Sequence, residues 1–217
     1  PWTMEQTNHF LASVQDERLF PLYMVVWGTG LRRSEILGLK WDDIDLKKGN
    51  LTVRRTLVRV KGNPPYQFGE PKTPKSRRTI PLPGPVVQAL KKWKAQQAQE
   101  ALVWKGLHKD VPEEQRPPYN PLNLVFCTEI GEPMNPEFIS RTFKRDLKKA
   151  GLPEIRFHDL RHGHATMLLE LGEDIKVISD RLGHSTITLT ADTYSHVREK
   201  LQRQASNKLE QVLNLNN

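Results

Sequence analysis

The chain has 217 residues, with 33 Lys and Arg against 25 Asp and Glu, and a formal net charge of +8. That length can bury one good core or two small ones, so one domain is the first expectation, and the basic balance suits a polyanionic partner. A lone cysteine, Cys127, excludes an internal disulfide, no apolar run approaches the roughly 20 residues of a membrane span, and no signal peptide is visible. These features point to a soluble cytoplasmic protein without a membrane partner.

Thr3-Met4-Glu5-Gln6 reads as a capping box opening a helix with Phe10, Leu11 and Val14 on its inner face. A second apolar segment, Leu19 to Trp27, runs into Gly28 and Gly30, where the backbone can turn and set Arg32 at the start of a new helix. Gly28-Thr29-Gly30 lacks a third glycine at dinucleotide-fold spacing and follows no convincing strand, so positioning Arg32 is its better account.

From Asn50 to Leu82 the pattern becomes β-branched and alternating: Leu51 to Val60, Tyr66 to Lys72 and Arg77 to Leu82, broken at Gly62-Asn63-Pro64-Pro65 and Thr73-Pro74. This predicts a three-stranded sheet with Lys72 beside a turn. Pro85 to Ala101 reads as an amphipathic helix through Val86, Leu90 and Trp93, and Val111 to Pro121 as a proline-rich loop. Cys127, after Leu124-Val125-Phe126, fits a buried strand.

Asn135-Pro136 fits an N-cap with proline in the first turn, and Gly151 the stop of a helix turning Phe138, Phe143 and Leu147 inward. His158 to Leu171 is helical and stops at Gly172, so His158 and Arg161 lie one turn apart on one face, within reach of one phosphate. Asp174 to Leu182 and Thr186 to Tyr194 are shorter helical segments separated by Gly183-His184. From Val197 to Asn217, apolar residues at 197, 201, 205, 209, 212 and 213 mark an amphipathic helix. The fold class expected is mainly α with a small three-stranded antiparallel β-sheet (α+β).

Charge is concentrated. Between Lys47 and Arg78 stand ten Lys or Arg against one acid, Glu70, so this stretch alone carries more net positive charge than the whole chain. A solvated basic face is the bland account of such a run, and a surface tracking phosphates the functional one.

Two arginines, two histidines, a lysine and a tyrosine form a set suited to metal-free attack on a phosphodiester. The planar guanidinium grips non-bridging oxygens that gain charge, which makes Arg32 and Arg161 candidates for a phosphate clamp. Tyr194 attacks usefully only where cations and a base ease loss of a proton with an unperturbed pKa of about 10. His158 and His184 can exchange protons near neutral pH, and Lys72 can protonate the leaving alkoxide.

Four segments make the pattern specific: Gly30-Leu31-Arg32-Arg33-Ser34-Glu35, His158-Asp159-Leu160-Arg161-His162, Leu182-Gly183-His184 and Asp192-Thr193-Tyr194-Ser195-His196. Together they resemble the tyrosine recombinase (phage integrase) family, from about Trp27 to His196, with the motifs in family order. The resemblance implies that Arg32 is the first catalytic arginine, His158 and Arg161 the His-x-x-Arg pair, His184 the second histidine and Tyr194 the nucleophile. It makes Glu35 the supporting acid. The family's hairpin lysine falls in Glu70 to Arg78, with Lys72 favoured because Lys-Thr precedes the turn and Lys75 a rival.

The resemblance also implies double-stranded DNA as partner, contacted by Arg33, Lys47, Lys48, Arg54, Arg55, Lys75, Arg77 and Arg78, with His162 a further contact. No cofactor and no metal are expected. The activity implied is site-specific DNA recombination or integration for a phage or mobile element, by a 3′-phosphotyrosyl intermediate and a Holliday junction, without ATP. Residues 1–196 would form the catalytic domain, lacking the N-terminal core-binding domain that relatives carry. Residues 197–217 would form a tail that relatives pass to a neighbour in a cyclic tetramer; packing on its own domain is the alternative.

Several other readings are weaker. His158 and His162 have zinc-helix spacing, but Asp159 replaces the expected Glu and Arg161 adds positive charge beside the proposed cation. A helix-turn-helix around Gly183-His184 explains residues that the catalytic motifs already explain. His162 and His164 can face a neighbouring helix or solvent. A type IB topoisomerase shares the tyrosine chemistry, and a regulator without catalysis would not need all six catalytic positions filled.

Overall fold

Thr3 opens the first helix reciprocally: its hydroxyl accepts from the Gln6 amide at 3.2 Å, and its amide donates to Gln6 Oε1 at 3.0 Å. In this computed structural model, which describes residues 2–70, 76–184 and 198–213, helix α1 (Met4–Ser13) turns Phe10 inward and ends at the buried Val14. Helix α2 (Phe20–Thr29) is apolar almost all round, and it is accordingly buried, packed against α1, α4 (Gly84–Leu107) and α6 (Asp159–Glu170). Around it the aromatic core assembles, with Phe10 edge-on to Tyr23 at 5.2 Å and to Phe143 at 5.5 Å between ring centroids.

Helix α5 (Pro136–Lys149) starts where the sequence sets it, Asn135 Oδ1 accepting from the Glu137 amide at 2.9 Å. Ile139, Phe143 and Leu147 repeat every four residues and take the inward stripe. Phe138, expected inward, is about 100° round from Ile139 on a helix of about 3.6 residues per turn, and it is exposed. Asp146 is fully buried, accepting from the Tyr23 hydroxyl at 2.8 Å and from Arg145 Nη2 at 2.8 Å. Helix α4 runs six residues past Ala101, and Leu102, Val103 and Leu107 on this extension are exposed, so no apolar stripe announced it.

The predicted sheet is divided differently. Strands β1 (Ile44–Asp45), β2 (Asn50–Val53) and β5 (Arg78–Pro81) form the three-stranded antiparallel sheet in the order β1-β2-β5, with Leu51 paired to Ile44 and Ile80. Strands β3 (Thr56–Arg59) and β4 (Tyr66–Gly69) make a separate antiparallel ribbon against α3 (Arg33–Leu37). The expected strand Leu51 to Val60 is cut at Arg54-Arg55 because both arginines turn to the buried carboxylate of Asp43. Cys127 is buried as expected, but in an isolated bridge to Pro133 and not in a strand.

Helices α6 and α7 (Ile175–Leu182) close a second, smaller core of Ala165, Leu169, Ile178 and Leu182. Gly30 ends α2 in the left-handed region at φ 67°, and a Cβ there would lie 2.6 Å from His164 Cδ2 and 2.7 Å from Leu182 Cδ2. The contact of α2 with this smaller core therefore requires glycine. Helix α8 (Arg198–Leu213) falls within the predicted amphipathic tail, with Leu209 and Leu213 exposed, while the expected helix Thr186 to Tyr194 lies outside the described residues. Among the described residues no helix is long and apolar enough to cross a membrane.

Tyr23→Phe removes the donor to buried Asp146 Oδ2, and an orphaned buried acceptor costs about 1–3 kcal/mol. Urea denaturation is expected to show a lower midpoint with an unchanged slope.

Candidate active site

Helices α2 and α7 both end in glycine-permitted left-handed turns, at Gly30 and Gly183, and the last carbonyls of a helix have no partner within it. Side chains named in the sequence reading fill that need. Arg161, almost wholly buried, donates from Nη1 to Gly30 O at 2.7 Å and from Nη2 to Leu182 O at 2.8 Å, joining the two helix ends. Arg32 Nη2 reaches Gly183 O at 3.5 Å, and Arg78 Nε donates to Arg181 O at 2.6 Å. Three successive carbonyls at the end of α7, 181 to 183, thus receive three different arginines, and His184 follows directly.

Glu35 is the acid of this cluster and is 1% exposed. Its carboxylate caps α3 by accepting from the Arg32 amide at 2.8 Å, and it pairs with Arg32 Nη1 at 3.0 Å. On the other side Arg78 donates from Nη1 to Oε1 at 3.2 Å and from Nη2 to Oε2 at 3.1 Å. Burial pushes the carboxyl up, but the Arg78 hydrogen bonds and charge, followed by those of Arg32, more than offset this and hold it below the usual carboxylate range. Glu35 is therefore ionised at neutral pH.

The histidines differ from the sequence expectation. His184 is depressed to about 4, by burial first and then by Arg161, Arg32 and Arg78, so its imidazole is neutral at pH 7. His158, exposed at the N-terminus of α6, is lowered by desolvation, then by His162 and Arg161. His162 stands edge-on to it at 5.0 Å between centroids, and no group of three or more His, Cys, Asp or Glu side chains placed to hold a metal occurs among the described residues. An arriving phosphate, being anionic, would raise these pKa values again.

Beside Arg32 and His158 opens a groove of about 990 Å³ between α3, α5 and the segment 154–159. Arg33, Arg141, Lys144 and Arg156 line it together with Phe143, Ile155 and Phe157, and with Glu154 and Asp159, which pair with Lys144 and Arg156. Cations outnumber acids in this lining, so the open side of the site carries a net positive charge.

Arg32, Glu35, His158, Arg161 and His184 come together here, while Lys72, Lys75 and Tyr194 lie outside the described residues. The residues expected on DNA separate into groups. Lys47 and Lys48 are exposed on the β1–β2 turn, and Arg77 is exposed beside Glu70. Arg33 is drawn toward α5, donating to Ser140 Oγ at 2.7 Å. Arg54 and Arg55 converge on Asp43, Arg55 through a short bond to Oδ2. Arg78 stands apart from these: its side chain is 7% exposed and its donors face protein acceptors.

Arg181 is not among the residues singled out from the sequence, and His164 faces neighbouring helices, one of the two placements expected for it. Arg181 donates from Nη2 to Gly28 O at 2.6 Å and to Pro81 O at 3.2 Å, tying α7 to α2 and β5. His164 is buried, with Nδ1 donating to Trp27 O at 2.6 Å and Nε2 accepting from Arg181 Nε at 3.3 Å. The carbonyl fixes this tautomer, and burial lowers the His164 pKa to about 4. A basic residue in the last turn of α7 was the available sequence signal for Arg181.

Glu35→Gln removes the counter-charge of a buried guanidinium and is expected to destabilise by about 3–5 kcal/mol at pH 7. Since the folded carboxyl is depressed, its contribution is full above the unfolded value of about 4.3 and fades as pH falls through the folded one. Urea unfolding of both proteins should therefore show their difference shrinking toward acid pH.

The phage integrase family model matches residues 3–200. A tyrosine recombinase XerC-like protein of Caldanaerobacter subterraneus is 36% identical over 218 residues, covering 97% of this chain and 53% of its own length. The ICEBs1 integrase of Bacillus subtilis is 31% identical over 220 residues, covering 98% and 54%. The Tn1549 transposon integrase, solved in complex with transposon right end DNA, superposes with a TM-score of 0.74 at 28% identity, over 94% of this chain and 66% of that one. The chain spans about half the length of the curated relatives it matches. Matched over nearly its whole length, it belongs to the phage integrase family.

Proposed function

We propose that this chain carries the catalytic domain, residues 1–196, of a tyrosine-type site-specific DNA recombinase. The observation that supports it most is the meeting of Arg32, Arg161 and His184 around the end of α7, with Glu35 beneath Arg32. A buried cluster of guanidiniums beside a cationic groove is suited to an anion that gains charge in the transition state. The Tn1549 integrase, similar to this chain, is described as bound to transposon DNA.

In the proposed reaction Tyr194 Oη attacks the scissile phosphorus, and the 3′-phosphotyrosyl bond forms as the bond to the 5′-oxygen breaks. Arg32 and Arg161 hold the non-bridging oxygens. His184, neutral at pH 7 before the phosphate arrives, and His158 organise the hydrogen bonds at the phosphate and take up the proton that Tyr194 loses. Lys72 protonates the departing 5′-oxygen, with Lys75 the rival. The 5′-hydroxyl of the partner strand then attacks the phosphotyrosine, and two such exchanges pass through a Holliday junction. One phosphoester replaces another, so neither ATP nor a metal is required by the chemistry.

Exposed Leu209 and Leu213 on α8 support a tail, residues 197–217, that docks on a neighbouring subunit, giving a tetramer on DNA. The matching relatives include the ICEBs1 integrase and the integrase of Staphylococcus phage L54a, which favours an integrase for a phage or mobile element acting in the bacterial cytoplasm.

A pool of nicked duplexes, incubated with the chain and a chelator, is expected to give a covalent protein–DNA band resistant to denaturation. Tyr194→Phe should abolish it, and its persistence in that variant would refute the mechanism. Relaxation of supercoiled plasmid without strand exchange would reassign the chain to topoisomerase chemistry.

Lys72→Ala is expected to slow cleavage by roughly 10²–10⁴-fold, the usual range for a general acid. A duplex whose 5′-bridging oxygen is replaced by sulfur should restore the rate, since a thiolate leaves without a proton. Loss and rescue in Lys75→Ala instead would transfer the role to Lys75.

A further inference from the structure

Arg78 belongs to the basic run that reads as a phosphate-tracking surface, but its geometry serves another purpose. Four of the five N–H groups of its guanidinium are engaged by protein: Nε by Arg181 O at 2.6 Å, Nη1 by Ser76 O at 2.9 Å and Glu35 Oε1 at 3.2 Å, and Nη2 by Glu35 Oε2 at 3.1 Å. Its side chain is 7% exposed, and a single N–H, on Nη2, is not taken by these acceptors.

We propose that Arg78 is a positioning residue for strand cleavage and not a DNA contact. It locks the carboxylate beneath Arg32, the end of α7 that leads into His184, and the strand that follows segment 71–75 into one frame. The proposal rests on the recombinase reading for its catalytic consequence.

Each bond has a separate role. The fork to Glu35 fixes the carboxylate that holds both the amide and the guanidinium of Arg32. The bond to Arg181 O fixes the last turn of α7, where the next two carbonyls receive Arg161 and Arg32. The bond to Ser76 O, on a buried residue, fixes the chain one residue past the segment that carries Lys72 and Lys75. The groups that bind phosphate and the segment that carries the candidate acid thus share one anchor.

Gly183 is fitted to this arrangement. A Cβ there would stand 2.7 Å from Arg78 Nη1 and 3.0 Å from Cζ, so the guanidinium lies flat against the α7 turn only because residue 183 has no side chain. The φ of 66° at Gly183 adds a second reason for glycine. Lysine cannot replace Arg78, because one ammonium cannot reach two carboxylate oxygens and two carbonyls set around a planar fork.

The test uses Arg78→Met and Arg78→Lys in the whole chain, with the second variant available should the first fail to fold. Hydrogen exchange in free protein is expected to quicken at least tenfold at the Gly183 and His184 amides of either variant. On the duplex captured by wild type, affinity and salt slope should stay unchanged while adduct formation falls roughly a hundredfold, the scale for a small misplacement of reacting groups. A phosphate contact predicts the reverse: the salt slope falls by about 1 in Arg78→Met, and Arg78→Lys behaves as wild type. Unchanged exchange, or cleavage at the wild-type rate, would overturn the proposal. Altered exchange with no adduct from wild type would instead remove the recombinase reading and leave Arg78 as the anchor of the frame.

Discussion

The site depends on how the last turn of α7 is terminated. Any helix leaves its final carbonyls unpartnered, and the aligned peptide dipoles concentrate partial negative charge there. In this chain residues 181 to 183 present that charge to Arg78, Arg161 and Arg32, which come from β5, α6 and the N-terminus of α3. Helix α7 has only eight residues and a small apolar contact through Ile178 and Leu182, so burial alone holds it weakly. The guanidiniums complete its attachment, and in doing so they are themselves brought together. Folding and site assembly are the same event at this point.

The gathered arginines require an opposing charge that does not compete with a ligand. Glu35 meets that requirement by being buried beneath Arg32 and not beside it on the open face. Its ionised carboxylate offsets part of the positive potential, while the exposed face next to the groove stays cationic. Burial first, and then the same potential, keep His184 neutral without a ligand, so the imidazole responds to an anion when one arrives and is not a fixed cation. The low His164 pKa has the same main cause, burial that is here almost complete, and its fixed tautomer bridges Trp27 O and Arg181. One residue type thus serves as a responsive group at the surface and a fixed link inside.

Local rules carried the sequence reading a long way. Thr3-Gln6, Asn135-Pro136 and the glycines after α2 and α7 act within a few residues, where backbone geometry has few alternatives, and each lies at the boundary it implied. The spacing of His158 and Arg161 survived because it depends only on the helical period. The failures involve partners distant in sequence. Arg54 and Arg55 alternate plausibly as strand residues, and only Asp43, waiting buried across the turn, breaks the strand. Phe138 could not be ranked against Ile139 until α5 had something to pack on. The protein partners of Arg78 were equally invisible, since charge counting cannot tell a solvated guanidinium from one enclosed by four protein acceptors.

This distinction separates two uses of arginine within one site. Arg78 spends nearly all its donors on the protein and so fixes its neighbours. Arg161 has the plane of its guanidinium set by two carbonyls from two helices, so its direction is determined by α2 and α7 and not by its own flexible stem. Arg32 is held at one nitrogen by Glu35 and more distantly by Gly183 O at the other, and its side chain is 37% exposed. Arg32 is the most exposed of the three. A phosphate meeting this face finds donors whose positions were fixed when the helices docked, and pre-set dipoles of this kind avoid reorganisation at the moment charge develops.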